Sequence, residues 1–163
     1  MTEQTLTWRD EVRSGDAEIV RRLCESSGFF SAEEIDIAVE LIEERIAKGP
    51  ASGYYFLFVQ YGETVHGYAC YGAIPGTESS WDLYWIAVEE EKRGHGLGRR
   101  VQAEVEKRTA LLGGTRIYIW TSSRDQYHPT RRFYERLGYT REATLRDYYK
   151  PGENLIIYVK PLN

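Results

Sequence analysis

The chain has 163 residues, of which 42% are hydrophobic, and its 25 acidic side chains against 21 basic ones give a formal net charge of −4. This length suits one domain that buries its own core, so we predict a single domain over residues 1–163. The acidic excess argues against a nucleic-acid-binding protein that neutralises phosphates, because no basic run offsets it.

The first third of the chain predicts one strand and two helices ahead of the main sheet. The strand covers Leu6–Glu11, and the first helix covers Asp16–Ser26 and stops at Gly28. The second helix begins at the capping sequence Ser31-Ala32-Glu33-Glu34 and ends at Gly49-Pro50. Its apolar residues recur at intervals of three and four: Ile35, Val39, Ile42 and Ile46.

A three-stranded meander is predicted next. The run Tyr54–Val59 is aromatic and β-branched, and Val65–Tyr71 follows it after a turn at Gly62-Glu63. Two such strands around a glycine turn indicate an antiparallel hairpin. Asp82–Val88 supplies the third strand.

The second half alternates helices and strands, which indicates a mixed sheet. A long helix ends at Gly113-Gly114, and Arg116–Thr121 is the next strand. A strand, a crossover helix and a strand in this order imply a right-handed connection to a nearly parallel neighbour. Pro129 marks a short helix that ends before Gly138. Strands near Tyr139–Arg146 and Leu155–Val159 follow, and one face of the long helix carries Leu97, Val101, Val105, Arg108 and Leu112.

Cysteine usage and the first residues predict the compartment. Cys24 and Cys70 are the only cysteines and show no metal-ligand spacing, so we expect reduced thiols and no metal site. The segment Met1-Thr2-Glu3-Gln4 lacks the basic start and the apolar stretch of a signal peptide. No apolar run approaches the roughly 20 residues of a membrane span. We therefore expect a cytoplasmic protein with no membrane partner.

A glycine-rich segment joins the third strand of the meander to the long helix. In Arg93-Gly94-His95-Gly96-Leu97-Gly98, three glycines at alternate positions let the backbone approach an anion closely. The N–H groups at the start of the helix have no partners within it, and the helix dipole favours negative charge there. The segment therefore predicts a phosphate cradle. It is neither a dinucleotide fingerprint, since Arg99 stands at the sixth position from Gly94, nor a P-loop, which needs Gly-Lys-Ser/Thr.

Together with Ile86-Ala87-Val88 upstream, the pattern Arg/Gln-x-x-Gly-x-Gly/Ala in this loop resembles the acyl-CoA-binding motif of the GNAT superfamily of N-acetyltransferases. The helix segment Arg132–Tyr139 looks like the second signature of that family. The order of predicted elements is also that of a GNAT domain over nearly the whole chain. The resemblance implies an α/β (α+β) GNAT fold, with a mixed central sheet of about six or seven strands flanked by about four helices.

The resemblance implies that acetyl-CoA is the cosubstrate and that no metal takes part. Backbone amides of the loop are expected to bind its pyrophosphate, at Gly94, His95, Gly96, Leu97, Gly98 and Arg99. The side chains of Arg93, Arg99 or Arg100 are further partners for phosphates, and a solvated helix face is the alternative for them. In the family the strand at Ile86, Ala87 and Val88 is bulged, which frees amides for the pantetheine chain and the thioester oxygen. Tyr127 and Tyr134 are expected to face the cofactor.

Three histidines are predicted to take no part in catalysis. His95 is expected to be a surface side chain whose amide, rather than its imidazole, faces the cofactor. His66 and His128 have no partner visible in the sequence.

Tyr134 is implied as the general acid that gives a proton to the leaving thiolate. A phenol with a pKa near 10 can donate to a thiolate whose conjugate acid has a pKa near 8.5 only when the two lie close together. A tyrosine that merely satisfies a hydrogen bond in the core is the alternative.

Asp82 is the candidate for the base that deprotonates the amine. Ribosomal-type members of the family often use a glutamate on the strand after the long helix, but Ile117–Thr121 carries no carboxylate. Histone-type members carry a glutamate six residues before the last apolar residue of the motif, and six residues before Val88 stands Asp82. Strand alternation places Asp82 on the face of Tyr84 and Ile86. It acts directly or through a water, and a solvated carboxylate at the strand end is the alternative.

The acceptor implied by the resemblance is a primary amine, either a small molecule or a peptide N-terminus. Four aromatic residues are expected to bind it: Tyr84, Trp85, Tyr148 and Tyr149. Others are candidates to line the same region: Tyr54, Tyr55, Tyr68 and Tyr71. The sequence Asp147-Tyr148-Tyr149 before Pro151-Gly152-Glu153 resembles a tyrosine-rich loop ahead of the last strand in N-terminal peptide acetyltransferases. A non-catalytic acyl-CoA sensor remains the rival function, and exposed aromatics permit a homodimer.

Overall fold

The computed structural model describes residues 4–163, so Met1, Thr2 and Glu3, on which the absence of a signal peptide was predicted, lie outside the described residues. The strands are β1 (Leu6–Arg9), β2 (Tyr55–Tyr61), β3 (Thr64–Ala73), β4 (Ser80–Val88), β5 (Arg116–Ser122), β6 (Thr140–Lys150) and β7 (Glu153–Pro161). The α-helices are α1 (Asp16–Ser27), α2 (Ala32–Lys48), α3 (Leu97–Leu111) and α4 (His128–Arg136).

The seven strands of the described chain form a mixed sheet in the order β1-β2-β3-β4-β5-β7-β6. The pair β4 and β5 is parallel, whereas β1 with β2, β2 with β3, β5 with β7 and β6 with β7 are antiparallel. These pairings confirm the predicted mixed sheet and the parallel crossover through α3. The backbone divides into two compact units, residues 1–72 with 85–105 and residues 73–84 with 106–163.

In the first unit, local hydrogen bonds fix the starts of both helices. Ser31 Oγ accepts a hydrogen bond from the Glu34 N–H at 3.1 Å, which confirms the predicted N-cap of α2. At the start of α1 the buried Asp16 carboxylate accepts two hydrogen bonds from Arg9, at 2.8 and 2.9 Å, and one from the Arg13 N–H at 2.7 Å. A paired carboxylate at a helix N-terminus also complements the helix dipole.

The core of the first unit follows the predicted apolar pattern along most of its length. Its buried residues include Val20, Leu23, Ile35, Val39, Ile42, Phe56, Phe58, Tyr68, Val101 and Val105. The pattern fails at Ile46, near the end of α2, which is 40% exposed, and in the second unit at Leu112, beyond the end of α3, which is 52% exposed. Cys24 and Cys70 are free and buried. Among residues 4–163, no helix combines the length and the hydropathy that crossing a membrane requires.

In the second unit, the alternation of β4, β5 and β7 gives the sheet two distinct faces. Leu83, Ile119 and Tyr158 follow one another across the register and are all buried. Helix α4 lies on this face, since the rings of Tyr134 and Tyr158 have centroids 6.5 Å apart. The residues on the other face are more exposed, and Asp82 lies opposite Tyr118 there.

Strand β6 is longer than predicted. It runs to Lys150 rather than Arg146, so Tyr148 and Tyr149 lie in the strand and not in a loop before β7. The prediction failed because the register between β6 and β7 shifts after Leu145 and resumes at the pair Lys150 and Glu153. An irregular ladder of this kind breaks the alternation by which a strand is recognised in a sequence.

We expect Gly114→Ala to lower the free energy of unfolding by about 1–3 kcal/mol, because the new methyl group overpacks the second unit. A Cβ at this position would lie 2.5 Å from Thr109 Cγ2 and 2.7 Å from Trp81 Cδ1. Urea denaturation measures the loss. Gly15→Ala is the control, because no atom lies within 4 Å of a Cβ built there; equal losses in the two variants would contradict the prediction.

Candidate active site

The glycine loop between β4 and α3 has the backbone geometry of an anion-binding segment. Gly94 and Gly96 have left-handed φ angles of +81° and +76°, and a Cβ built on either meets nothing within 4 Å. The N–H of Arg100 donates to the carbonyl of Gly96 at 3.1 Å, so the amides of Leu97, Gly98 and Arg99 precede the first turn of hydrogen bonds in α3. Leu97 is buried and fixes the helix start, while the rest of the loop is largely exposed. Such amides are free to bind an anion.

Side chains around the loop add positive charge. Arg93, Arg99 and Arg100 are all exposed, and Arg93 contacts Glu90 at 3.5 Å between Nη2 and Oε1. His95 is exposed, in agreement with its prediction as a surface side chain. Unpaired amides beside arginines are a donor set that fits the phosphates of acetyl-CoA.

A small charged cluster holds the end of β4, from which the loop begins. His66 Nδ1 lies 2.7 Å from Glu89 Oε2, Arg22 Nη1 pairs with Glu89 Oε1, and the Glu89 N–H donates to the His66 carbonyl at 2.9 Å. Although burial raises it, these hydrogen bonds from His66 and Arg22 bring the pKa of Glu89 below its ordinary value. No sequence pattern indicated Glu89 as the partner of His66, because the two residues meet only through the pairing of β3 with β4.

The segment Ile86-Ala87-Val88 packs closely against β3. A Cβ built on Gly67 would lie 3.2 Å from the Ala87 carbonyl oxygen and 3.2 Å from Val88 Cγ2. Ala87 and Val88 are buried and Ile86 is partly exposed. The paired register between β4 and β5 covers Ser80–Leu83 and ends well before Val88. The bulge expected in this segment stays a prediction.

Tyr134 lies in the second unit within a cluster of rings. Its centroid is 5.2 Å from that of Phe133 and 5.7 Å from that of Tyr139, and its side chain is 4% exposed. Its hydroxyl makes no hydrogen bond with another residue of 4–163. Burial first, and then the neighbouring Tyr127, raise the pKa of Tyr134 well above its ordinary value. A phenol in this state stays protonated at neutral pH.

Asp82 is a partly buried carboxylate on β4. Its neighbours Trp81 and Leu83 are buried while Asp82 and Tyr84 are partly exposed, which agrees with the predicted alternation. No side chain or amide among residues 4–163 donates a hydrogen bond to it. Burial raises the pKa of Asp82 to about 6. A carboxylate without a partner and with a raised pKa is typical of a functional site.

Asp82 and Tyr134 lie on opposite faces of the sheet in the second unit. Tyr134 contacts Tyr158, which shares its face with Ile119 and Leu83 through the register, and Leu83 points away from Asp82. Tyr134 therefore lies over β7 on the Leu83 face of the sheet, and Asp82 lies on the opposite face.

The predicted acceptor residues divide into two groups. Tyr84 and Trp85 are partly exposed, and the Trp85 ring lies 5.5 Å from that of Phe30 in the first unit. Tyr148 and Tyr149 are 49% and 47% exposed in the second unit. Tyr55 is 36% exposed, but Tyr68 and Tyr71 are buried, so the prediction that these two line the acceptor region is wrong. They pack inside the sheet core because β3 is covered on both faces over this stretch.

Sequence reasoning missed two features beside these tyrosines. Trp120 is 54% exposed and contacts the Tyr148 ring edge to face at 6.0 Å. Arg124 lies 3.4 Å from Glu153 and 5.0 Å over the Tyr127 ring. Period-two alternation along β5 places Trp120 on the same face as Tyr118, which was a usable signal for the first feature. The pair Arg124 and Glu153 joins residues far apart in sequence and left no local signal.

The chain was compared with protein families and with solved structures. The sequence model of the acetyltransferase (GNAT) family matches residues 18–139. A protein assigned to the GNAT acetyltransferases from Desulfovibrio desulfuricans has 45% identity and a TM-score of 0.95, with 98% of this chain and 100% of that chain covered. Among described residues there is no group of three or more histidine, cysteine or acidic side chains arranged to hold a metal ion. None of the curated proteins compared with the chain matches it in sequence.

More distant structures share the fold. The ribosomal-protein-S18-alanine N-acetyltransferase of Escherichia coli has 17% identity and a TM-score of 0.74, covering 98% of this chain and 95% of that one. The aminoglycoside 6'-N-acetyltransferase of Enterococcus faecium has 20% identity and a TM-score of 0.75, covering 96% of both chains. The predicted fold and family are thereby confirmed: the chain belongs to the GNAT family of acetyltransferases and is an acyltransferase.

Proposed function

We propose that the protein is an N-acetyltransferase that transfers the acetyl group of acetyl-CoA directly to a primary amine. The observation that carries this proposal is the pair Asp82 and Tyr134. One is a partly buried carboxylate without a partner and the other a buried phenol, and they lie on opposite faces of the sheet. Direct transfer needs both a proton acceptor for the amine and a proton donor for the leaving thiolate.

The cofactor is assigned to the glycine loop. The amides of Gly94 to Arg99 would bind the pyrophosphate, helped by the side chain of Arg93 or Arg99, with Tyr127 and Tyr134 nearer the acyl end. When bound, acetyl-CoA supplies an activated thioester carbonyl. Backbone amides of Ile86, Ala87 and Val88 would stabilise negative charge on its oxygen, because the register with β5 ends before them.

Asp82 and Tyr134 have complementary proton roles in this proposal. With a pKa of about 6, Asp82 is mostly ionised at pH 7 and accepts a proton from the ammonium form of the acceptor, directly or through a water. Tyr134 keeps its proton until the thiolate leaves and then donates it, and the second proton that the amine nitrogen loses on forming the amide restores the phenol. An α-amino group has a pKa near 8 and a lysine amine one near 10.4, so an α-amine is the easier acceptor.

Within the second unit, the acceptor site is assigned to Tyr84, Tyr148 and Tyr149. Structures with this fold include enzymes named for a ribosomal-protein alanine and for aminoglycosides, so the fold accommodates both peptide and small amines. The proposed acceptors are therefore peptide N-termini and small primary amines, and the test includes both kinds.

A thermal-shift titration tests the cofactor half of the proposal. Acetyl-CoA and CoA at about 100 times the dissociation constant should each add about 2.7 kcal/mol, which raises the melting temperature by about 5 to 10 °C, while NAD should not. A thiol-release assay over small amines and peptides tests the transfer. No shift with either CoA species would contradict the loop assignment, and binding without turnover on any amine would favour the acyl-CoA sensor.

A further inference from the structure

An aromatic patch made of Trp120, Tyr148 and Tyr149 lies on one face of the second unit. All three side chains are about half exposed, at 54%, 49% and 47%. Ring centroids are 6.0 Å apart for Trp120 and Tyr148 and 5.1 Å apart for Tyr148 and Tyr149, with interplanar angles of 87° and 89°. Edge-to-face pairs of this kind leave ring faces open to a further aromatic group.

The backbone conformation of β6 directs the Tyr148 side chain toward Trp120. Asp147 has a left-handed φ of 54°, which is uncommon outside glycine. Two hydrogen bonds hold it there: its N–H donates to Asn154 Oδ1 at 3.0 Å, and its Oδ1 accepts from the Gly152 N–H at 2.8 Å. The kink and the register shift direct Tyr148 across β7 toward Trp120 on β5. The position of Tyr148 is therefore set by the fold.

The patch shares a sheet face with the candidate base. Asp82 lies opposite Tyr118 in the parallel register, and Trp120 is the next residue of β5 on the same face. With a rise of about 3.3 Å per residue and about 4.8 Å between strands, the Cα atoms of Asp82 and Trp120 lie about 8 Å apart. An amine at Asp82 therefore places the next few atoms of its chain within reach of the Trp120 ring.

The charge around the patch favours an aromatic group over a polycation. Of the two carboxylates nearest in sequence to the tyrosines, Glu153 pairs with Arg124 at 3.4 Å, and one oxygen of Asp147 accepts a hydrogen bond from the Gly152 N–H. A polyamine or an aminoglycoside carries several ammonium groups, each of which is best bound by a carboxylate. The patch instead offers neutral rings.

We propose that the patch is an acceptor subsite for a flat aromatic ring that is joined to the reacting amine by a short aliphatic linker, as in an arylalkylamine. This inference rests on the proposed acetyl transfer and names its acceptor class. The ring lies against Trp120 and Tyr148 while the amine reaches Asp82.

Thiol-release kinetics with 2-phenylethylamine, 2-cyclohexylethylamine and spermidine test the subsite. We expect the highest kcat/KM for 2-phenylethylamine. Trp120→Leu should raise its KM about 3- to 10-fold, the range of an aromatic contact, and change the KM of the cyclohexyl amine by less than about two-fold. Trp120→Phe should restore most of the loss. Leu111→Ala, at a side chain 78% exposed at the end of α3, is the control and should change neither constant.

Calorimetric titration of 2-phenylethylamine in the presence of CoA separates the subsite from the transfer. Binding that Trp120→Leu weakens, without turnover on any amine, supports the subsite and contradicts the proposed function. Equal kcat/KM for the aromatic and cyclohexyl amines, or a preference for spermidine, overturns the subsite and leaves the transfer intact. Neither binding nor turnover with any amine overturns both.

Discussion

Replacing Tyr134 by phenylalanine is expected to lower kcat by about 10²- to 10⁴-fold, the usual contribution of a general acid, with little change in fold or acetyl-CoA affinity. The ring keeps its contacts with Phe133, Tyr139 and Tyr158. The hydroxyl that it loses has no hydrogen-bond partner among residues 4–163. The substitution therefore removes a proton donor and almost nothing else. Steady-state thiol release and a thermal melt measure the two effects.

Tyr139→Phe is the matched control for this variant. The Tyr139 ring lies beside that of Tyr134, but its hydroxyl donates to Glu106 Oε2 at 3.3 Å. Loss of this hydrogen bond should cost about 1 kcal/mol of stability and leave turnover nearly intact. If Tyr134→Phe were active and Tyr139→Phe inactive, Tyr134 would not be the general acid.

The pH dependence of the Tyr134 variant adds a second check. Burial raises the pKa of Tyr134, so its phenol remains protonated through the alkaline range in which the amine loses its proton. The wild-type rate should show no decline from loss of this acid below about pH 10. Tyr134→Phe should therefore lower the whole profile without moving its inflections, and a shifted inflection would indicate a different role.

Most of the fold could be predicted because local patterns and tertiary packing agree along this chain. Ser31 is the N-cap of α2, Gly28 takes the left-handed conformation that ends α1, and β4 pairs with β5 in parallel, each as predicted. The glycine loop could be predicted because the left-handed φ angles at positions 94 and 96 favour glycine. At Ser31, Gly28, Gly94 and Gly96 the residue type favours the observed conformation, and the pairing of β4 with β5 follows from the order of the elements.

The remaining features depend on contacts between residues distant in sequence. The partner of His66 is Glu89, which follows directly after the neighbouring strand β4. The direction of the Tyr148 side chain depends on the left-handed conformation of Asp147, for which the residue type shows only a weak preference. The burial of Tyr68 and Tyr71 depends on whether one or both faces of β3 are covered by other elements. The sequence pattern of an aromatic strand does not distinguish these two cases. The acceptor side of the site was for this reason less predictable than the cofactor side.

Asp82→Asn is expected to lower kcat/KM by about 10²-fold near pH 7.5, at the low end of general-base effects because a water can partly replace the carboxylate. The wild-type rate should rise through pH 6, where Asp82 ionises, and the variant should lose that inflection. The pH dependence of the Asp82→Asn rate should then follow only the titration of the acceptor amine. The control is Asp82→Glu, which keeps a titrating carboxylate and should retain an inflection. A profile unaltered in Asp82→Asn would remove this residue from the mechanism.

The same substitution should change stability in the opposite direction to activity. Burial raises the pKa of Asp82 from 3.8 in an exposed carboxyl to about 6, so the folded protein favours the protonated form. The folded state is thus relatively stabilised below about pH 4, and this stability is lost as the pH rises through 6. Asn is never charged, so the variant does not lose stability by ionising a buried group. Asp82→Asn should therefore have a higher melting temperature than the wild type at pH 7.5 and the same melting temperature at pH 4. A residue whose removal stabilises the fold but slows the reaction is retained for chemistry rather than for structure. A lower melting temperature for the variant at pH 7.5 would instead assign Asp82 to the fold.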